Sequence, residues 1–152
     1  KTKFISHRGN IEKKITEEEN NPDKILYCLS LQYDVEIDVW FKNNKFYLGH
    51  DEPEYEVDKS FITKKGLWCH AKNLKALEEM LYINTINCFW HQNDNFTITH
   101  YGYIWTYPFH ELTPISVAVL PEISKYTNKQ LSLSYGICSD KIQFYKDNLG
   151  ET

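Results

Sequence analysis

The amino-acid sequence predicts an α/β fold, because short strand-like runs alternate with segments that have helical spacing. Eight runs of β-branched and aromatic residues are bounded by turn residues. Three intervening segments begin at a capping residue and repeat apolar side chains at helical intervals. Strand–helix–strand order is typical of parallel βαβ units. No linker, repeat or low-complexity tract divides the chain, so we expect one domain over residues 1–152.

The predicted strands share short length and β-branched or aromatic content. In chain order they are Lys3–His7, Asp34–Phe41, Phe46–Gly49, Leu67–Ala71, Cys88–His91, Tyr103–Tyr107, Ser116–Leu120 and Gly136–Ser139. The paired asparagines of Lys42–Lys45 predict a tight hairpin between the second and third strands.

The predicted helices begin at side chains that accept hydrogen bonds from free backbone amides. Asn21 precedes Pro22 and caps a helix that reaches Leu31. Asn73 caps a second helix, whose apolar stripe is Leu74, Leu77 and Leu81, and Asp140 caps a third that ends at Gly150. These units predict a compact TIM-like (β/α) barrel. Its outer helices must be shortened or missing, because typical barrels need about 250 residues.

Composition excludes several classes of protein. The net charge of −4 argues against a nucleic-acid-binding protein, and no apolar run spans a bilayer or forms a signal peptide. The four cysteines form no C-x-x-C pair, which favours buried free thiols over disulfides or a zinc site. We therefore expect a cytoplasmic protein without a transmembrane segment.

The first strand ends in Ser6-His7-Arg8-Gly9, where an imidazole and a guanidinium follow an apolar run. Arg8 is the only arginine in the chain, and guanidinium groups bind phosphate in a bidentate manner. In the second strand Glu36 and Asp38 alternate with apolar residues and share one face. Such a face is either a solvent-exposed edge or a divalent metal site.

His50-Asp51 follows the hairpin, so His-Arg-Gly, Glu-x-Asp and His-Asp stand in order within the first 51 residues. This order resembles the glycerophosphodiester phosphodiesterase family, within the phospholipase-C-like phosphodiesterase barrels. The resemblance implies catalytic roles for His7 and His50 and phosphate binding by Arg8. It also implies that Glu36 and Asp38 bind a divalent cation, Mg²⁺ or Ca²⁺.

The resemblance is uneven beyond residue 55. Lys72 matches a family lysine that contacts phosphate, but His70 stands where the family has an acidic residue, and imidazole favours a softer metal. Either Glu122 or His91 is a candidate for the missing ligand, and Trp105 for selecting the leaving group. Ser139-Asp140 resembles the last strand of these barrels, and we expect both residues to cap a helix before they face substrate.

The implied reaction is hydrolysis of a small, glycerophosphodiester-like substrate by a two-histidine acid/base pair. If the nucleophile is a hydroxyl of the substrate, the first product is a cyclic phosphate. Because His70 departs from the family pattern, a non-catalytic protein that binds phosphate ligands on a degenerate barrel is the alternative. An amidohydrolase is disfavoured, because the first strand lacks the two histidines separated by one residue that are typical of that class.

Overall fold

The chain forms one mixed ten-stranded β-sheet that curls into a half-barrel, as seen in a computed structural model that describes residues 1–150. The strands are β1 (Lys3–His7), β2 (Asp34–Lys42), β3 (Lys45–Leu48), β4 (Tyr55–Val57), β5 (Leu67–Ala71), β6 (Asn87–Phe89), β7 (Phe96–Ile98), β8 (Ile104–Thr106), β9 (Ser116–Val119) and β10 (Gly136–Ser139). The helices are α1 (Pro22–Ser30), α2 (Lys59–Ile62), α3 (Leu74–Leu81), α4 (Asn128–Leu133) and α5 (Ile142–Leu149).

The predicted TIM-like barrel is wrong. Strands dominate the structure, and the five helices are too few and too short for regular β/α alternation. The sheet is mixed rather than parallel, since β2, β3 and β4 form an antiparallel meander and β7 pairs antiparallel with β8. No helix separates β8 from β9.

The sheet follows the order β4-β3-β2-β1-β10-β9-β8-β7, with β5 on the other edge of β2 and β6 beyond it. Strand β2 is central, because it pairs in parallel with β1 and β5 and, in its second half, antiparallel with β3. The exposed edge strand considered for Glu36 and Asp38 is therefore excluded, and both side chains are buried.

Alternation along β2 separates its apolar side chains from its carboxylates. Val35, Ile37 and Val39 pack with the helices on the outer face. A second apolar cluster, built from other strands, contains Ile5, Trp68, Phe89, Trp105, Val117, Val119 and Cys138. Glu36 and Asp38 are in register with Trp68 and His70 of β5, so they lie on the same face of the sheet as Trp68, toward the carboxyl end of β5.

The capping prediction holds for the first two long helices. Asn21 accepts a hydrogen bond from the Asp23 amide, and Asn73 accepts one from the Ala76 amide. The stripe predicted for α3 is only partly correct, since Ala76 and Met80 are buried whereas Leu74 and Leu81 are exposed. Asp140 does not cap α5, although that helix does end at Gly150.

The predicted Lys42–Lys45 hairpin is confirmed, with Lys42 paired to Lys45 and both asparagines at positive φ. All four cysteines are buried free thiols, as expected. Within residues 1–150, no helix combines the length and the apolar character needed to cross a membrane.

Candidate active site

The candidate site lies at the carboxyl ends of β1 and β5, where the parallel register aligns polar side chains from three strands. His7 is in register with Glu36, and Asp38 is in register with His70. Arg8 follows directly, and its backbone amide donates to the carbonyl of Glu36 at 2.9 Å. The structure thus brings together four residues predicted from the first two motifs, and it adds His70.

His7 is held by a carboxylate from the far end of the chain. Its Nδ1 lies 2.7 Å from Asp140 Oδ1, and Asn10 Nδ2 donates to the same oxygen at 2.9 Å. Burial opposes ionisation of Asp140, but the hydrogen bond and charge of His7 outweigh it, so the pKa of Asp140 is lowered. In the neutral ring, an Nδ1–H that donates to Asp140 leaves the lone pair on Nε2, which lies 3.8 Å from Glu36 Oε1.

Arg8 is fixed between two buried carboxylates. Its Nη1 donates to Glu19 Oε1 at 3.3 Å, and its Nε lies 3.2 Å from Asp38 Oδ2. The Nε contact has ion-pair distance but not hydrogen-bond geometry, so Nε–H is a buried donor without a partner among residues 1–150. Arg8 adopts a left-handed φ of 60°, and strained backbone of this kind clusters at functional sites.

Glu36 and Asp38 are adjacent carboxylates with opposite electrostatic settings. Burial, and then the charge of Asp38, raise the pKa of Glu36 well above its ordinary value, although Arg8 and Lys72 act in the other direction. Burial also disfavours the Asp38 anion, but the hydrogen bond to His70 and the charge of Arg8 outweigh it and lower the pKa of Asp38. Asp38 stays ionised, whereas Glu36 lacks enough positive charge nearby.

His70 connects Asp38 to the aromatic interior. Its Nδ1 lies 3.1 Å from Asp38 Oδ1 and 4.0 Å from Glu36 Oε2, and its Nε2 lies 3.2 Å from the carbonyl oxygen of His91. The His70 ring stacks on Phe89, with centroids 5.1 Å apart and planes 3° apart. Packing and the carbonyl contact together fix the direction in which Nδ1 points.

Comparisons of the chain with protein-family models, curated proteins and solved structures found no match. The functional argument therefore rests on the geometry of the site.

The structure places His50 on the loop after β3, with a side chain 41% exposed and Nδ1 2.7 Å from Asp51 Oδ1. In the part of the chain that is described, no hydrogen bond or ion pair joins His50 to His7. Their backbones are nevertheless neighbours, because the amides of Arg8 and Gly49 bond to the carbonyls of Glu36 and Asp38 on one edge of β2. Because two residues of a strand span about 7 Å, the points at which Arg8 and Gly49 bond to β2 are about that far apart.

Lys72 and Trp105 occupy different depths. Lys72 follows β5 at the rim of the site, near enough for its charge to lower the pKa of Glu36 against the stronger effect of burial. Trp105 is 2% exposed and packs on Phe89 and Trp68, at centroid distances of 4.7 and 5.6 Å. It therefore supports the ring beneath His70 from inside the core.

The other candidates for the missing ligand point elsewhere. Glu122 accepts hydrogen bonds from Ser139 Oγ at 2.9 Å and from the Asp140 amide at 3.4 Å. His91 donates from Nε2 to the carbonyl of Asp94 and stacks on Tyr107, with centroids 3.6 Å apart. Neither belongs to the carboxylate–histidine cluster within residues 1–150, which consists of Glu36, Asp38 and His70.

Several supporting residues carried no sequence signal. Asn10 donates to both Glu19 and Asp140, at 2.8 and 2.9 Å, and links the Arg8 clamp to the His7 pair. Asn20 donates from Nδ2 to Asp38 Oδ2 and accepts from the Asp38 amide, both at 2.9 Å. The Ser139-Asp140 motif was noticed, but its role beside His7 was not predicted.

The cluster has the donor atoms for a divalent cation, although with an imidazole in place of the carboxylate that Mg²⁺ or Ca²⁺ would prefer. Glu36, Asp38 and His70 each offer one ligand atom, and these atoms lie within 4.8 Å of one another. Glu36 Oε1 is buried and has no hydrogen-bond partner within residues 1–150, which is costly for a carboxylate oxygen. A divalent cation bound by these three residues would satisfy that oxygen.

Proposed function

We propose that the protein cleaves phosphodiesters by acid/base catalysis, with His7 and His50 as the two proton-transfer groups. The observation that carries the proposal is the His7–Asp140 pair, 2.7 Å apart, beside an arginine whose buried Nε–H has no acceptor. A base with a free lone pair next to an unsatisfied phosphate-binding donor is the minimum that diester cleavage requires. The motif order of the sequence points to the same chemistry.

His7 is the general base in this mechanism. Asp140 holds the Nδ1–H tautomer and stabilises the imidazolium that forms when Nε2 takes a proton. The proton comes from the nucleophile, which is either water or a hydroxyl of the substrate. As the O–H bond breaks, the nucleophile oxygen forms the new bond to phosphorus.

Arg8 and Lys72 neutralise the non-bridging oxygens as charge builds on them. Arg8 is preorganised by Glu19 and Asp38, so it needs no reorganisation during the reaction. Glu36, Asp38 and His70 would hold a divalent cation, which would supply Lewis-acid stabilisation of the developing negative charge. Charge stabilisation of this kind is usually the largest contribution to the rate.

His50 protonates the leaving alkoxide as its bond to phosphorus breaks. An alkoxide is a poor leaving group at neutral pH, so an acid is needed on that side. The half-exposed position of His50, beside Asp51 on a loop, suits a group that meets the solvent-facing end of the substrate. When the nucleophile is a substrate hydroxyl, the first product is a cyclic phosphate.

The test compares two diesters that differ in leaving group. Bis(p-nitrophenyl) phosphate releases a phenolate that needs no acid, whereas glycerophosphocholine releases an alkoxide. We expect His7→Asn to abolish turnover of both, and His50→Ala to lower turnover of the alkyl diester far more than that of the aryl diester. The control is His100→Asn, since His100 is exposed and its side chain bonds to the Ile86 carbonyl, away from the site, and we expect it to retain wild-type rates.

The alternative is a protein that binds phosphate ligands and turns none over. Tight binding of a diester, with no hydrolysis in the presence of any of the divalent cations, would support that alternative and exclude the proposed phosphodiesterase activity. Equal rates for wild type and His7→Asn would exclude the assigned base.

A further inference from the structure

We propose that His70 is the third protein ligand of the cation site and makes the site select a first-row transition-metal cation over Mg²⁺ and Ca²⁺. The role of the cation in the reaction rests on the proposed phosphodiesterase function, whereas its binding can be measured independently. The inference follows from the hydrogen-bond accounting of the His70 ring, from a buried carboxylate oxygen and from the charge of the site.

Both nitrogens of His70 face acceptors. Nε2 lies 3.2 Å from the His91 carbonyl, which can only accept, and Nδ1 lies 3.1 Å from the carboxyl oxygen Asp38 Oδ1. A neutral imidazole carries one N–H, so one of these contacts would bring two lone pairs together. A cation at Nδ1 removes the conflict, because Nε2–H then donates to the carbonyl while Nδ1 and Asp38 Oδ1 both bind the metal. Metal-bound histidines commonly donate their second N–H in this way.

Glu36 supplies a second, independent sign of a ligand. The residue is 3% exposed, and its Oε1 has no hydrogen-bond partner in the described part of the chain. Its other oxygen, Oε2, lies 4.0 Å from His70 Nδ1, so the carboxylate borders the same space. A buried carboxylate oxygen without a donor is a rare and costly feature that a bound cation explains.

The formal charges of the surrounding network leave room for a dication. Four carboxylates meet here, from Glu19, Glu36, Asp38 and Asp140. Arg8 contacts two of them, and Lys72 is the other full positive charge acting on Glu36. Acidic side chains therefore outnumber the full positive charges in this network by two, an excess that one divalent cation would offset.

The donor set determines which cation is preferred. Oxygen-only sites suit Mg²⁺ and Ca²⁺, whereas imidazole nitrogen favours Zn²⁺, Fe²⁺, Co²⁺ and, with carboxylates, Mn²⁺. Three protein ligands that leave one or more positions open are typical of catalytic rather than structural sites. The stack of His70 on Phe89 holds the nitrogen in place, so the site cannot easily substitute another ligand.

The experiment measures cation affinity directly, by calorimetric competition of Zn²⁺, Mn²⁺, Mg²⁺ and Ca²⁺ for the metal-stripped chain. The informative variant is His70→Asp, which places a carboxylate oxygen near the position of Nδ1 and adds a negative charge. His70→Asn is the neutral counterpart. The matched control is His91→Gln, since the His91 ring is the neighbouring imidazole, with a centroid 6.2 Å from that of His70, and is not assigned as a ligand.

We expect the wild type to bind Zn²⁺ at least 100-fold more tightly than Mg²⁺, and His70→Asp to reduce that ratio at least tenfold. Electron spin-echo spectra of bound Mn²⁺ should contain an imidazole ¹⁴N coupling that disappears in His70→Asp and His70→Asn and persists in His91→Gln. Circular dichroism reports whether each variant folds. If a variant does not fold, the ¹⁴N coupling in the spectrum of the wild-type protein still shows whether a nitrogen ligand is bound to Mn²⁺.

Three outcomes would overturn the inference. They are absence of cation binding, as expected if His70 is doubly protonated and paired with Asp38; equal affinity for Mg²⁺ and Zn²⁺; and a ¹⁴N coupling that survives His70→Asp. Selective binding of Zn²⁺ or Mn²⁺ without any diester turnover would leave the site standing and refute only the proposed reaction.

Discussion

Asp140→Asn is the substitution that separates a positioned histidine from one that merely lies near a carboxylate. Asp140 Oδ1 is 2.7 Å from His7 Nδ1, and an asparagine in its place can present an N–H that favours the wrong tautomer of the ring. A hydrogen bond to a charged group is worth about 1.5–3 kcal/mol, which corresponds to about a 10- to 150-fold change in rate. Loss of the tautomer adds to this, and in Ser-His-Asp enzymes the same change costs about 10⁴-fold in kcat.

We therefore expect kcat/KM of Asp140→Asn to fall by about 10²- to 10⁴-fold, with KM changed little. Long-range ¹H–¹⁵N NMR reports the His7 tautomer even if no substrate is known, and it should show Nδ1–H in the wild type and a shift toward Nε2–H in the variant. Asp147→Asn is the control, because Asp147 is an exposed carboxylate that bonds to Gln143 within α5. Unchanged kcat/KM, pH profile and His7 tautomer in a folded Asp140→Asn protein would refute the positioning role.

Three further predictions concern stability. Gly49→Ala should lower the free energy of unfolding by about 3 kcal/mol, because a Cβ there would lie 2.0 Å from the Glu52 carbonyl oxygen at a φ of 155°. Gly102→Ala, with φ 89° and no atom within 4 Å of the added Cβ, should cost only about 1 kcal/mol in the same urea titration, and equal losses would contradict this. Trp105→Ala should cost about 3–5 kcal/mol, because the ring fills the second apolar cluster, and a loss below about 1 kcal/mol would contradict that packing. Since the folded-state pKa of Asp140 lies below its ordinary 3.8, its ionic contribution is present above that value and is lost as the pH falls through the folded-state pKa. The stability gap between wild type and Asp140→Asn should therefore narrow as the pH falls below 3.8 and through the folded-state pKa, and a constant gap would contradict the shift.

Local structure was well predicted where the residues that determine it lie within the same short segment. The strands Lys3–His7, Leu67–Ala71 and Gly136–Ser139 were predicted at their observed bounds, because each is a short apolar or β-branched run between turn residues. Asn21 and Asn73 cap helices through bonds to amides two and three residues away. Short range is what makes such signals readable in one sequence.

The architecture was mispredicted because strand pairing is a long-range property. The sequence spacing of β2, β3 and β4 does not specify which edge of β2 each later strand joins, and β2 accepts both a parallel and an antiparallel partner. Strands β4 and β7 were not predicted. Each has only three residues, and a run of that length has no clear periodicity.

The same distinction applies to the site. Alternation along β2 put Glu36 and Asp38 on one face, and the unique arginine marked Arg8, so these residues were found from the sequence. The Asp140–His7 bond joins positions 133 residues apart, and no local pattern encodes it. His70 was read as a departure from a motif, whereas the structure places its Nδ1 3.1 Å from Asp38.

The measurement that tests the central claim most directly is a ³¹P NMR time course of glycerophosphocholine with the Mn²⁺- or Zn²⁺-loaded protein. We predict that the diester signal declines with wild type and is replaced by a monoester, preceded by a cyclic phosphate if a substrate hydroxyl is the nucleophile, and that it is stable with His7→Asn. Direct appearance of the monoester, with no cyclic species at early times, would select water as the nucleophile. A diester signal that stays constant with the folded, metal-loaded wild type would contradict the account.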